Sequence, residues 1–181
     1  SIPVIQTIFY GGLIMGLLDK LFGTNTKSNA KSNTTKSTAP TQYNPSTHDN
    51  MVQAMNKYFE GKEEIDSKWS VISSLKHFNG ERAAELEQLC FENLKDLYVM
   101  RKAQKQAKYD NSIPPHVAAY VRLVMLYEKQ ERYMDAVNMC AKAIRAGAIK
   151  DGSKGMMKGR LARLIKKVET TVPEDILNLL D

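Results

Sequence analysis

From residue 50 onward, apolar positions recur at intervals of three and four, the period of an amphipathic helix, and no stretch alternates as a half-buried strand would. Met51, Val52, Met55, Tyr58 and Phe59 form a first stripe that closes at Gly61. A second helix is predicted from Asp66, with Ile65, Trp69, Ile72 and Leu75 on its stripe and a stop at Asn79-Gly80. The third starts at Glu81 and carries Leu86, Leu89, Cys90, Leu94, Leu97 and Tyr98. It meets no breaker before Asp110-Asn111, which predicts a helix of about 28 residues and about 42 Å. Its last turns, residues 101–108, have almost no apolar face, so they should project past the core or fray.

Pro114-Pro115 punctuates the chain, and Pro115 suits the first position of a fourth helix bearing Val117, Tyr120, Val121, Val124 and Tyr127. A polar break at residues 130–132 leads to a fifth helix with Ala136, Val137, Cys140, Ala143 and Ile144, closed by Gly147. After a loop at 151–155, a sixth helix presents Met157, Leu161, Leu164, Ile165 and Val168. Pro173 starts a last short helix over 174–180 in an acidic first turn. The fold class expected is therefore all-α: six or seven helices in antiparallel hairpins, stacked as a short solenoid.

The chain ahead of this body divides in two. Residues 1–18 carry no charge and are largely apolar, at the lower edge of a membrane span, but Gln6, Thr7, Gly11 and Gly12 dilute them. No basic region or cleavage site marks a signal peptide. Met15 opens Met-Gly-Leu-Leu-Asp-Lys-Leu-Phe-Gly23, which reads like a natural start and leaves 1–14 as upstream sequence. The alternatives for segment 1–22 are an interfacial or docking helix, or an anchor. Residues 23–49, dominated by Ser, Thr and Asn, form an expected disordered tether of roughly 30 Å span, too polar to offset its ordering entropy. The helical domain is expected over 50–181, with Asp49 or Asn50 as N-cap.

In a chain of 181 residues the formal net charge is +6, and residues 150–168 alone carry seven cations against Asp151. A second basic run, Arg101, Lys102, Lys105 and Lys108, adds four more. Two cysteines cannot staple a secreted domain, so a reducing, cytoplasmic setting is expected, with membrane tethering if 1–22 engages a bilayer. Cys90 and Cys140 lie on apolar stripes and read as small core residues. His48, His77 and His116 stand far from any nucleophile or close ligand partner, so neither catalysis, a metal nor a cofactor is expected. Gly152, Gly155 and Gly159 lack the spacing and the preceding strand of a phosphate loop.

One segment carries a family signature. Tyr120-x2-Leu123-Val124-x2-Tyr127, followed at the matching distance by Ala136-x3-Cys140-x2-Ala143, resembles a tetratricopeptide repeat over about 117–150. Val124 stands where the family has a small residue, Cys140 where it has an aromatic, and Ala148 where it has the closing Pro. Residues 151–164 resemble the C-terminal tail of uncharacterised bacterial tetratricopeptide-like proteins. The resemblance implies a non-enzymatic protein–protein interaction module whose first helices line a groove for a peptide or helix. That groove would present Ala118, Val121, Arg122, Met125, Glu128 and Lys129, unless these pack against the third helix. An alternative partner is nucleic acid or an anionic membrane, held by Lys154, Lys158, Arg160, Arg163, Lys166 and Lys167 of the sixth helix, although no aromatic is interleaved there for stacking. Exposed repeat ends would also permit a homodimer.

Overall fold

The computed structural model describes residues 45–181, in which every regular element is helical. In chain order these are α1 (Pro45–Leu75), α2 (Glu81–Gln106), α3 (Ala118–Lys129), α4 (Tyr133–Ala146), α5 (Met156–Ile165) and α6 (Glu174–Leu177). The expectations for residues 1–22, and for the tether as far as residue 44, fall outside the described residues. Residues 45–49, expected in the tether, instead form the start of α1. Pro45 suits that place, because the first helical N–H has no partner to lose.

The first two expected helices are one. α1 runs through Gly61 for 31 residues. Glycine is kept there by a close crossing rather than a stop: a Cβ at Gly61 would lie 2.6 Å from Nδ2 of Asn93 on α2. That nitrogen donates to the Tyr58 backbone carbonyl at 2.8 Å. α1 stops at Leu75, closed by Lys76 at φ 55°, and Gly80, at φ 87°, precedes α2.

Each helix from α1 to α5 packs on the next, and α1 also touches α3. The core joins Leu86, Cys90 and Leu97 of α2 to Leu123, Val124 and Leu126 of α3, then to Ala136, Val137, Cys140 and Ala143 of α4. Leu161 and Leu164 of α5 continue it, and Ile176 of α6 closes it. Of the positions that carry the resemblance, Leu123, Val124, Tyr127, Ala136, Cys140 and Ala143 are buried and Tyr120 is partly buried. Ala136, Ala141 and Ala143 of α4 are buried in this cluster, and the buried Tyr127 donates from its hydroxyl to Glu87 of α2 at 2.7 Å.

Several stripe assignments shift. Phe59, Leu75 and Tyr98 are 45%, 47% and 69% exposed. On α2 the inward line passes through Asn93 and Met100 instead of Tyr98, and Ala103 and Gln104 are buried within the turns expected to project. α2 ends at Gln106, and Arg101 Nε donates to the Asn111 carbonyl at 2.8 Å, tying the following loop back onto the helix. Pro115 does not start α3; Val117 is the residue before it, and the Pro115 carbonyl instead accepts from Lys150 N–H at 2.7 Å. α6 is shorter than the expected 174–180.

Four helices end alike. Lys76, Lys108, Glu131 and Gly147 take φ of 55°, 56°, 61° and 90°. In each case the next N–H reaches back five residues: His77 to Ile72, Tyr109 to Gln104, Arg132 to Tyr127 and Ala148 to Ala143, at 2.8–3.0 Å. This closure satisfies carbonyls that the last turn would otherwise leave open. No helix of the described residues is long and apolar enough to cross a membrane.

Candidate interaction surface

α3 is central, so few of its side chains reach solvent. Ala118 and Val121, expected to line a groove, are 1% and 2% exposed and belong to the core. They are excluded from the surface because neighbours cover α3 on both flanks, a consequence of its position that helical spacing alone does not reveal. Arg122, Met125 and Lys129 remain on the open edge, spaced three and four residues apart as one helical line requires.

This edge faces the second half of α1. Arg122 donates from Nη2 and Nε to one oxygen of Asp66, at 2.8 and 3.1 Å. Lys62 approaches the other Asp66 oxygen at 3.5 Å. The Arg122 guanidinium sits 5.5 Å from the centroid of Trp69, whose ring lies 5.9 Å from Phe78, and Lys129 Nζ lies 5.7 Å from Phe78. Cation, indole, phenyl and cation thus alternate along the α1–α3 seam. Gln130 fixes the turn bearing Phe78, donating from Nε2 to its carbonyl at 2.7 Å. Met125 accepts a weak hydrogen bond at its sulfur from Arg122, 3.6 Å away. Trp69 is buried in the core, as its stripe position predicts; neither Asp66 nor Phe78 stands out in the sequence, and only the fold brings all three to Arg122 and Lys129.

Glu128 lies about a quarter turn round α3 from Lys129. There it faces α5, accepting from Arg160 Nη1 at 3.2 Å and Lys167 Nζ at 3.0 Å. Arg160 also donates from Nε to Asp151 at 2.6 Å. Ser153 caps the other Asp151 oxygen with its N–H at 2.9 Å and its hydroxyl at 2.7 Å. The Asp151 side chain is fully buried. Burial alone would raise its pKa, but the hydrogen bonds from Arg160 and Ser153 outweigh that and hold the carboxyl below its ordinary 3.8.

This knot divides the expected basic patch. Arg160 and Lys167 are engaged in joining α5 to α3, while Lys154, Lys158, Arg163 and Lys166 are exposed and ion-paired with no described residue. Two of the six cations therefore serve the packing, and four remain exposed.

A shallow cleft of about 420 Å³ opens between the start of α4 and the end of α5, lined by Arg132, Tyr133, Asp135, Lys167 and Glu169 among others. Its cations already have partners: Arg132 binds Glu87 and Asp135, and Lys167 binds Glu128. Cys90 and Cys140 are wholly buried, and burial pushes both thiols up to about 12. His116 contacts the Lys150 carbonyl at 3.1 Å, and no group of three or more His, Cys, Asp or Glu residues able to hold a metal occurs among the described residues. No family profile, curated protein or solved structure matches the chain.

Proposed function

We propose that residues 45–181 form a tetratricopeptide-like interaction module that holds a partner peptide or helix along the α1–α3 seam. The observation that carries this reading is the seam itself. Arg122, Met125 and Lys129 line one edge of α3 at helical spacing, beside Asp66, Trp69 and Phe78. The order of packing supports it, since successive helices from α1 to α5 pack together and α1 meets α3, the arrangement expected of stacked hairpins. Such an edge recognises a segment by apolar contact to Met125 and the partly buried Phe78, with Trp69 as the buried floor beneath Arg122 and cations aligning the segment's acidic groups.

The test uses the full chain with a photo-crosslinking side chain at Met125 in lysate of the source organism. One predominant protein adduct, lost in the Arg122→Gln/Lys129→Gln variant, is the expected result. Adduct formation indifferent to those substitutions, or no protein adduct at all, overturns the proposal.

A further inference from the structure

The outer face of α2 carries a second surface, separate from the α1–α3 seam. Phe91, Lys95, Tyr98, Lys102 and Lys105 follow one another at steps of four, three, four and three residues, so they lie along one side of the helix. The line is about 21 Å long. All five residues are exposed, Tyr98 by 69%. A tyrosine that open to water is unusual, because its ring ordinarily finds a place against the core.

The lysines are equally uncommitted. No ion pair among the described residues engages Lys95, Lys102 or Lys105. Most acidic side chains of α2 are engaged or distant: Glu85 binds Lys68, Glu87 binds Arg132, Asp96 binds Lys57, and Glu81 lies at the start of the helix. The nearest one, exposed Glu92, lies three residues before Lys95 and accepts from Gln88 Nε2 at 2.8 Å. In α5, by contrast, Arg160 and Lys167 are spent on Glu128 and Asp151. The surface where free cations and free aromatic rings coincide is therefore on α2, away from the most basic segment of the chain.

We propose that this line of α2 binds single-stranded nucleic acid. Alternation is the reason. Aromatic faces take bases by stacking, and each adjacent lysine meets a phosphate about 5–6 Å along, close to the repeat of an extended strand. An anionic bilayer fits less well, because it rewards a continuous apolar strip and here lysines interrupt the rings along the same line. Base identity plays little part, since no amide or carboxylate side chain of this line reads a base edge.

The experiment is fluorescence anisotropy of the full chain with a labelled 20-nucleotide oligouridylate, with circular dichroism on every variant. Three lysine–phosphate contacts give a log–log salt slope of about −2, so affinity should fall about 15-fold between 50 and 200 mM salt. Tyr98→Ala should weaken binding about tenfold, Tyr98→Phe should restore it, and Lys95→Gln/Lys102→Gln/Lys105→Gln should abolish it. Lys158→Gln/Arg163→Gln/Lys166→Gln and Arg122→Gln/Lys129→Gln should leave it unchanged. The proposal is overturned if the α2 substitutions have no effect, if the α5 substitutions abolish binding instead, or if phosphatidylserine vesicles bind through Tyr98 and the oligonucleotide does not.

Discussion

Asn93 Nδ2 donates to the Tyr58 carbonyl at 2.8 Å and, from that position, occupies the space a side chain at residue 61 would need. The two residues are thus one device. Glycine at 61 weakens α1 locally, by about 1 kcal/mol relative to alanine, and in exchange the Asn93 side chain of α2 lies against α1. Gly61→Ala should displace the buried amide and destabilise the domain by about 1–2 kcal/mol in urea denaturation. In an Asn93→Ala background the same change should be neutral or stabilising, because only the helix preference remains. Equal effects in both backgrounds would show that the two sites are independent.

Arg160 neutralises a carboxylate with no exposed surface of its own. Arg160→Ala should therefore cost about 3 kcal/mol or more, well beyond the loss of an exposed ion pair. The pH dependence has a definite sign. The folded pKa of Asp151 is held below its unfolded value, so its contribution is complete above about pH 4 and is lost as pH falls through the lower folded value. Asp151→Asn should flatten that part of the acid stability curve below about pH 4.

Arg122 and Lys129 offer a cleaner handle on binding. The Arg122–Asp66 pair is a quarter to a third exposed and Lys129 meets only the face of Phe78, so each glutamine substitution should cost less than about 1 kcal/mol. A melting temperature within a few degrees of the parent, alongside loss of the Met125 adduct, separates recognition from folding.

The helix closures predict a gain. Glu131 holds φ 61° between α3 and α4 with an exposed side chain, a conformation that glycine adopts without penalty. Glu131→Gly should stabilise the domain by about 0.5–1 kcal/mol, whereas Gly147→Ala, at φ 90°, should destabilise it by about 1 kcal/mol.

Both cysteines should stay unreactive in the native state. Burial that moves the Cys90 and Cys140 thiols up to about 12 leaves almost no thiolate at pH 8. Labelling by iodoacetamide should track global unfolding; rapid labelling of either residue would reveal a local opening of α2 or α4.

Helical periodicity is enough to place α4 nearly to the residue and the bodies of α3 and α5, because Ala136, Cys140, Ala143, Leu161 and Leu164 each sit on a narrow stripe; the start of α3, three residues past Pro115, and the end of α5, before Val168, are not given by it. It failed at Gly61, where glycine ordinarily signals a stop and here answers a neighbour 32 positions along the chain. It failed also at Tyr98, since a rotation of one residue about α2 separates Leu97 in the core from Tyr98 in water. Three of the four closures used Lys or Glu in place of Gly and so carried no local signal. Of the candidate surface, Arg122, Met125 and Lys129 were legible as a line on one helix. Asp66, Trp69 and Phe78 were not, because proximity between α1 and α3 is set by packing that no single segment encodes.

From α1 to α5 each helix packs on its neighbours in sequence, most extensively α1 on α2, and α6 is held at the far end by Ile176 and the 2.6 Å pair between Asp175 and Arg145 of α4. In such a chain cooperativity is passed from neighbour to neighbour, and opening can begin at an end without dissolving the middle. Native-state hydrogen exchange should then show a gradient, fastest in α6 and α5 and slowest where α2 and α3 meet, with Arg160→Ala steepening it by releasing α5 first. A partner seated across α1 and α3 would brace the protected end and leave the other free to fray.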